Sequence, residues 1–276
     1  MRIFLSNLIT AAIVVAGFLI YSSYGTDRSK IATPASPETA PESEVVPASA
    51  DMTSAERATL RKEVRAYLLD QPEVLMEAIA VLEGRQRTEK AQSDKSMIQS
   101  NADALFSDGY SWVGGNPEGD VTLVEFRDYR CGYCRKAHPE VAELLESDGN
   151  IRLIIKEFPI LGEQSTISSK LAVATLLKAG PQAYEQVAEF LITFNGTLSE
   201  NAMRTILQKF SIEADPVLAE LDSPEVTERI ASTRALGSAL KISGTPTFVL
   251  GDEMLRGYVP LDGMREIVAS IRADGG

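Results

Sequence analysis

The sequence predicts an α/β fold interrupted by a long helical stretch, with a short helical region ahead of it. Three observations carry the prediction. The run Val121-Thr122-Leu123-Val124-Glu125-Phe126 is strand-like, helical spacing follows it, and a second apolar run extends from Ile151 to Phe158 and ends at Pro159. Strand, helix and strand in that order form a crossover unit of a parallel sheet. From about 164 to 240 the apolar residues recur at helical spacing, among them Leu171, Ala174, Leu177, Phe190, Leu191 and Phe194. Thr247-Phe248-Val249-Leu250, a Gly251-Asp252 turn and Met254 to Tyr258 then read as a β-hairpin, and Leu261 to Ile271 as a closing helix.

The 276 residues allow one or two domains, which fall in order along the chain. Residues 1–25 carry Arg2 and an apolar run from Leu8 to Ile20, which suits a signal peptide or, extended to Tyr24, a membrane anchor. Either places the remainder in the periplasm or another extracytoplasmic space. Residues 26–52, with Pro34, Pro37, Pro41 and Pro47 among Ala, Ser, Thr and Glu, cannot bury enough apolar surface to fold and read as a disordered linker. Residues 53–100 form an N-terminal helical region. Thr53 and Glu56 are spaced as a capping box. Leu60, Val64, Tyr67 and Leu68 share one helical face. Pro72 then interrupts, with Asp70 as the cap of a new helix, and Val74, Leu75, Ala78, Ile79 and Leu82 form a second stripe. Gly84 to Asn101 is polar and reads as a solvated helix or linker. Two short amphipathic helices make no core of their own. They pack on the main domain, residues 101–276, or on copies of themselves, which would give a homo-oligomer.

Composition narrows the function. A net charge of −12 and a pI of about 4.7 exclude nucleic acid as a partner, since phosphate binding needs a basic face. One His and two Cys leave no material for a disulfide-stapled scaffold, a catalytic His or a resident metal with several ligands, and no cofactor is called for. The chemistry therefore falls to Cys131-Gly132-Tyr133-Cys134. Cys131 sits where a strand turns into a helix, facing unpaired N–H groups and the positive end of the helix dipole. That environment lowers a thiol pKa and supplies a thiolate. Cys134, one turn on, can attack a mixed disulfide formed at Cys131 and release it. A zinc site, copper(I) capture by the two thiolates and a purely structural disulfide are the alternatives. His138 lies one turn beyond Cys134, as an electrostatic modulator or as an ordinary surface residue before Pro139. Thr245-Pro246, directly ahead of an apolar strand, reads as a strand-initiating proline, a position where a cis bond is also open.

The segment from Val124 to Cys134 resembles the active-site segment of the DsbA-like thiol:disulfide oxidoreductases of the thioredoxin superfamily. Lys156-Glu157-Phe158-Pro159-Ile160-Leu161-Gly162 and Gly244-Thr245-Pro246-Thr247-Phe248 resemble two further segments of that group, in the right order over about 101–276. The resemblance implies a thioredoxin-like fold with an inserted helical domain, here about 164–240. It implies that Pro246 is cis and faces the cysteines, that the loop pairs with an extended substrate segment, and that Thr245 tunes the nearby sulfur. It also implies that Glu125, six residues before Cys131, relays protons to the resolving Cys134; a satisfied strand-end carboxylate is the other reading of Glu125. Asp70 to Leu75 resembles the extra helical region of ScsC-like members, some of which trimerise and act as isomerases. The expected activity is thiol–disulfide exchange on reduced or misfolded exported proteins, with a membrane redox partner. Gly132-Tyr133 departs from the Pro-His pair of the best-known member, so oxidase, isomerase and reductase all stay open.

Overall fold

The structure is a computed structural model, and it describes residues 52–274. The leader segment 1–25 and all but the last residue of the linker lie outside the described residues. The chain divides into two units at Asp70–Gln71.

The described part of the first unit is helix α1, Ser54–Asp70. The capping box is present. The Thr53 N–H donates to Glu56 Oε2 at 2.8 Å, and the Glu56 N–H donates back to Thr53 Oγ1 at 3.3 Å. Leu60, Val64 and Tyr67 on its predicted apolar face are exposed.

The second unit begins with α2, Glu73–Ser100, a single helix of 28 residues. Two expectations change here. The N-cap position is Pro72, without a side-chain cap of its own, and Asp70 is the last residue of α1. The polar stretch after Gly84 is neither linker nor fully solvated. Ile98 is buried in the core, and buried Asp94 holds Arg256 through two bonds of 2.6 and 2.8 Å. An acidic residue in a polar run gives no sequence sign of burial when its cation lies 162 positions away.

After α3 (Ala102–Phe106) come β1 (Trp112–Gly115), β2 (Val121–Arg127), α4 (Gly132–Asp148) and β3 (Ile151–Glu157). The helical insertion follows as α5 (Glu163–Ala179), α6 (Pro181–Thr193), α7 (Glu200–Lys209), α8 (Ala214–Glu220) and α9 (Pro224–Ala239). The hairpin β4 (Thr247–Leu250) and β5 (Glu253–Arg256) and the closing helix α10 (Leu261–Asp274) complete the chain. The sheet order is β1-β3-β2-β4-β5. β2 and β3 are parallel, with Leu123 opposite Leu153 and Glu125 opposite Ile155, and the other neighbours are antiparallel. β1 was not foreseen: it is four residues on an edge, two of them glycine. Gly114 is required there because the Trp112 ring lies over it, and a Cβ would come within 2.1 Å of the ring.

Alternation along β2 separates two cores. Leu123, with Leu153 and Ile155 of β3, packs beneath Val141 and Leu144 of α4 and Met264 and Val268 of α10. Val124 and Phe126 face the other way, into Ile98 of α2, Leu105 of α3 and Leu236 of α9. A third core fills the insertion and reaches the cysteines through Tyr129. α4 stops at Gly149, whose φ of 71° is the left-handed conformation that favours glycine.

Candidate active site

Cys131 is the N-cap residue of α4, and Cys134 lies in the first turn. The strand ends at Arg127, and the turn Asp128 to Arg130 aims Cys131 at the loop before β4. Its Sγ donates to the Thr245 carbonyl at 3.1 Å. Cys131 is 7% exposed and Cys134 is 0% exposed, and both thiols are free. Both cysteines are thus buried, Cys131 slightly less completely than Cys134.

The Thr245–Pro246 peptide is cis, and the Pro246 carbonyl accepts from the Gly257 N–H at 2.9 Å. The Thr245 hydroxyl is buried and has no hydrogen-bond partner in the resting geometry. Burial pushes the Cys134 thiol well above the usual range, and the charge of Glu125 and the neighbouring Cys131 add to the rise. A backbone hydrogen bond from Asp128 and the Thr245 hydroxyl oppose it. Cys134 is therefore a protonated thiol at rest. It becomes a nucleophile only if a base takes its proton.

Glu125 is the carboxylate nearest in sequence that acts on it. It is fully buried on β2, on the face that carries α4. Arg127, two residues on and so on the same face, donates to both its oxygens, Nε at 3.0 Å and Nη2 at 2.6 Å. Burial alone would push the guanidinium toward neutrality; the adjacent Glu125 carboxylate outweighs this and holds Arg127 firmly charged. On the same face, buried Glu157 of β3 accepts from Tyr129 and Tyr184, each at 2.6 Å. Burial raises the Glu157 carboxyl above its ordinary range, against those two hydroxyls, Ser169 and Arg127.

Sequence reasoning missed several residues that build the site. Buried Asp128 accepts from the backbone of Arg130, Ile160 and Leu161 at 2.9, 2.8 and 3.1 Å, and from Ser165 Oγ, tying the cysteine turn to the loop after β3. Arg130 donates to the carbonyls of Phe194 and Gly196 at 3.3 and 3.0 Å, and Arg135 to Phe194 at 2.9 Å and to Asn195. Two guanidinium groups thus fasten the insertion to the start of α4. Arg127 had a readable signal, alternation with Glu125; the partners of Asp128 and Arg130 lie too far along the chain to read. His138 points elsewhere and pairs with Glu189 at 2.7 Å, as a residue outside the cysteine site. Tyr133 is 63% exposed, and Ile160 and Leu161 are exposed as well. Among the described residues no group of three or more His, Cys, Asp or Glu is placed to hold a metal ion.

A thiol at a helix N-terminus, a fully buried second thiol one turn on and a buried acid on the sheet face under the same helix are the parts needed for disulfide exchange. The family model described as Thioredoxin matches residues 107–270. The chain belongs to this thioredoxin family. A second family model, described as Copper resistance protein ScsC N-terminal domain, matches residues 56–89 of the same thioredoxin-family chain. The chain is similar to a thioredoxin-like oxidoreductase from Silicibacter pomeroyi, at 37% identity and TM-score 0.58, over 62% of this chain and 97% of that one. It is similar to the thiol-disulfide exchange protein alpha-DsbA2 from Wolbachia pipientis, at 26% identity and TM-score 0.62, over 66% and 98%. It is also similar to Proteus mirabilis ScsC in a transitional conformation, at 27% identity and TM-score 0.58, over 82% and 99%. These solved structures are a thioredoxin-like oxidoreductase, a thiol-disulfide exchange protein and an ScsC protein. The chain spans about a quarter (24%) of the length of the first curated relative it matches, Na(+)/H(+) antiporter NhaA 1 of Salinispora arenicola, 27% identical over 159 residues, 57% of this chain.

Proposed function

We propose that the chain forms or exchanges disulfides in exported proteins through Cys131 and Cys134. The observation that carries the reading is the pairing of Cys131 Sγ with the Thr245 carbonyl at a helix N-terminus, directly in front of a buried second thiol. In the reducing direction the Cys131 thiolate attacks a substrate disulfide. One substrate sulfur leaves as a thiolate and takes up a proton, and a mixed disulfide remains. Glu125 accepts the Cys134 proton, the Cys134 thiolate attacks Cys131 Sγ, and the second substrate sulfur departs. The substrate has then gained two electrons and the protein holds the Cys131–Cys134 disulfide. In the oxidising direction the same steps run in reverse.

The Thr245–Pro246 loop would pair with the backbone of an extended substrate, and exposed Tyr133, Ile160 and Leu161 would receive its apolar side chains. A location outside the cytoplasm and a membrane redox partner complete the reading. Cys131→Ser is expected to abolish exchange on a reduced, unfolded protein. Full activity in that variant would sink the proposal, and stoichiometric copper(I) capture without exchange would favour the metal-binding alternative.

A specific observation favours the isomerase or reductase form, which works as an oligomer with several sites in one particle. Leu60, Val64 and Tyr67 on α1, and separately Leu75, Ile79 and Leu82 on α2, are large apolar residues left exposed, and each stripe is of the kind that marks an association surface. Light scattering on the full chain is expected to give a multimer. Leu60→Ser with Val64→Ser, or Ile79→Glu with Leu82→Glu, is expected to reduce it to a monomer. A monomeric wild type would remove this form of the reading.

A further inference from the structure

We propose that Arg127 is a positioning residue of the exchange reaction: it fixes the Glu125 carboxylate and supplies the counter-charge that lets it serve as a base toward Cys134. The inference rests on the role proposed for Glu125.

The geometry is specific. Arg127 uses Nε and Nη2 on the two oxygens of Glu125, a side-on pairing that sets the plane of the carboxylate. Both side chains stand on one face of β2, so the strand itself sets their spacing. Both are sealed off: the Glu125 side chain is 0% exposed and that of Arg127 is 5% exposed. A carboxylate so buried without a cation would take up a proton and lose its capacity to accept another. The lysine next along the sheet cannot serve. Lys156 of β3 stands opposite Phe126, on the other face, and is held by Asp108.

Arg127 is the cation that hydrogen-bonds Glu125 among the described residues. Charged and titratable groups acting on the pair are Tyr129 from the turn, Glu157 from β3 and Cys134 from α4, with His138 lining the same cleft as Arg127. Ser169 stands on α5, Tyr184 and Glu189 on α6, and Thr245 on the loop before β4. His138 is already paired with Glu189. Three acids therefore bear on one guanidinium, and Glu125 alone takes direct hydrogen bonds from it. The third nitrogen, Nη1, makes no hydrogen bond among the described residues, and Arg127 lines a cleft of about 410 Å³ walled by Trp112, Val141, Leu145 and Ala188, with the His138–Glu189 pair on its border. The cleft reaches the Arg127 side of the ion pair, while Glu125 stays off its lining.

The test isolates the step in which Cys134 acts. Glutathione is loaded on Cys131 as a mixed disulfide, and its release by Cys134 is followed by stopped flow across pH for wild type, Arg127→Met, Arg127→Lys and Glu125→Gln. Wild type is expected to show a break that Glu125→Gln removes. Arg127→Met is expected to move the break upward by about one pH unit or more, the usual effect of a single opposite charge. At pH values well below the wild-type break, release should be about tenfold slower for every pH unit that the break has moved. Arg127→Lys keeps the charge and loses the side-on geometry, so its break should fall between the two. If Arg127→Met fails to fold, Arg127→Lys alone carries the test through its smaller upward movement of the break. Uniform slowing with an unmoved break in both Arg127 variants would overturn the proposal and leave Arg127 a structural residue. A Glu125→Gln profile identical to wild type would instead overturn the role of Glu125 itself, and the proposal with it.

Discussion

The two faces of the sheet each bury an ion pair, and the pairs are built differently. Beneath α3, Lys156 donates to Asp108 Oδ2 at 2.6 Å and to the Ala104 carbonyl at 2.7 Å. Asp108 in turn accepts from the Tyr110 and Ser111 N–H groups and from the Ser111 hydroxyl. Burial pushes the Lys156 amine down, against the pull of Asp108. Burial would raise the Asp108 carboxyl, but Lys156 and Ser111 outweigh it and hold it low. This pair is closed, its polar atoms spoken for. Beneath α4 the cluster is open: Arg127 Nη1 has no partner among the described residues, and Glu157 Oε2 and Ser169 Oγ are buried without one. Buried charge by itself does not mark a working site, because structural networks use it as well. Unfilled hydrogen-bonding capacity separates the face that carries Glu125 from the structural one.

Substitutions can break or sharpen that contrast. The largest effect is expected from Cys134→Ser, which removes the resolving sulfur and should trap substrate on Cys131 as a stable mixed disulfide, visible by mass spectrometry. Lys156→Met leaves Asp108 buried without its cation and is expected to cost about 3–5 kcal/mol in urea denaturation. It should leave the pH profile of exchange where it is; a moved profile would erase the distinction between the faces. The Asp108 carboxyl, held low in the folded state, contributes stability above the ordinary Asp range. That contribution is lost as pH falls through its depressed folded value, and Lys156→Met should remove it.

Glu157 has the opposite sign. Its folded carboxyl is raised, so the unfolded chain ionises first as pH climbs out of the ordinary Glu range. Stability therefore falls with rising pH until the folded value is passed, by about 1.4 kcal/mol for each pH unit separating the folded and unfolded values. Glu157→Gln keeps an acceptor for Tyr129 and Tyr184 and should flatten that slope in denaturation series at several pH values. The smallest effect is expected from Thr245→Val. Removing a buried hydroxyl without a partner should be neutral or stabilising by about 1 kcal/mol, while the Cys134 step slows a few-fold as its thiolate loses a favourable neighbour. A large loss of stability would mean the hydroxyl is bonded after all.

Much of the working face was legible. Alternation in Val121 to Phe126, helical spacing after Cys131 and the turn at Gly251-Asp252 are local signals, and each became the element it predicted. Thr53 and Glu56 made their capping box because both partners lie within one turn. What failed to read was non-local or too short. β1 carries four residues and hides two glycines under a tryptophan. Asp70 sits where a cap belongs, yet Pro72 takes the position. Asp94, Asp128 and Arg130 find their function through partners 32 to 162 residues away, and no window along the chain contains both ends. The Glu125–Arg127 pair lay within reach: two charges at alternate positions of a buried strand meet on one side of it.

The sequence contains two sulfhydryl residues, one slightly exposed at a helix N-terminus and one fully buried. Alkylation of the native reduced protein should therefore consume one equivalent of reagent quickly, and a second only after denaturation. The disulfide form should consume none in either case. A pair of titrations reads out the fraction of oxidised molecules in any sample, with no other cysteine in the chain to blur the count.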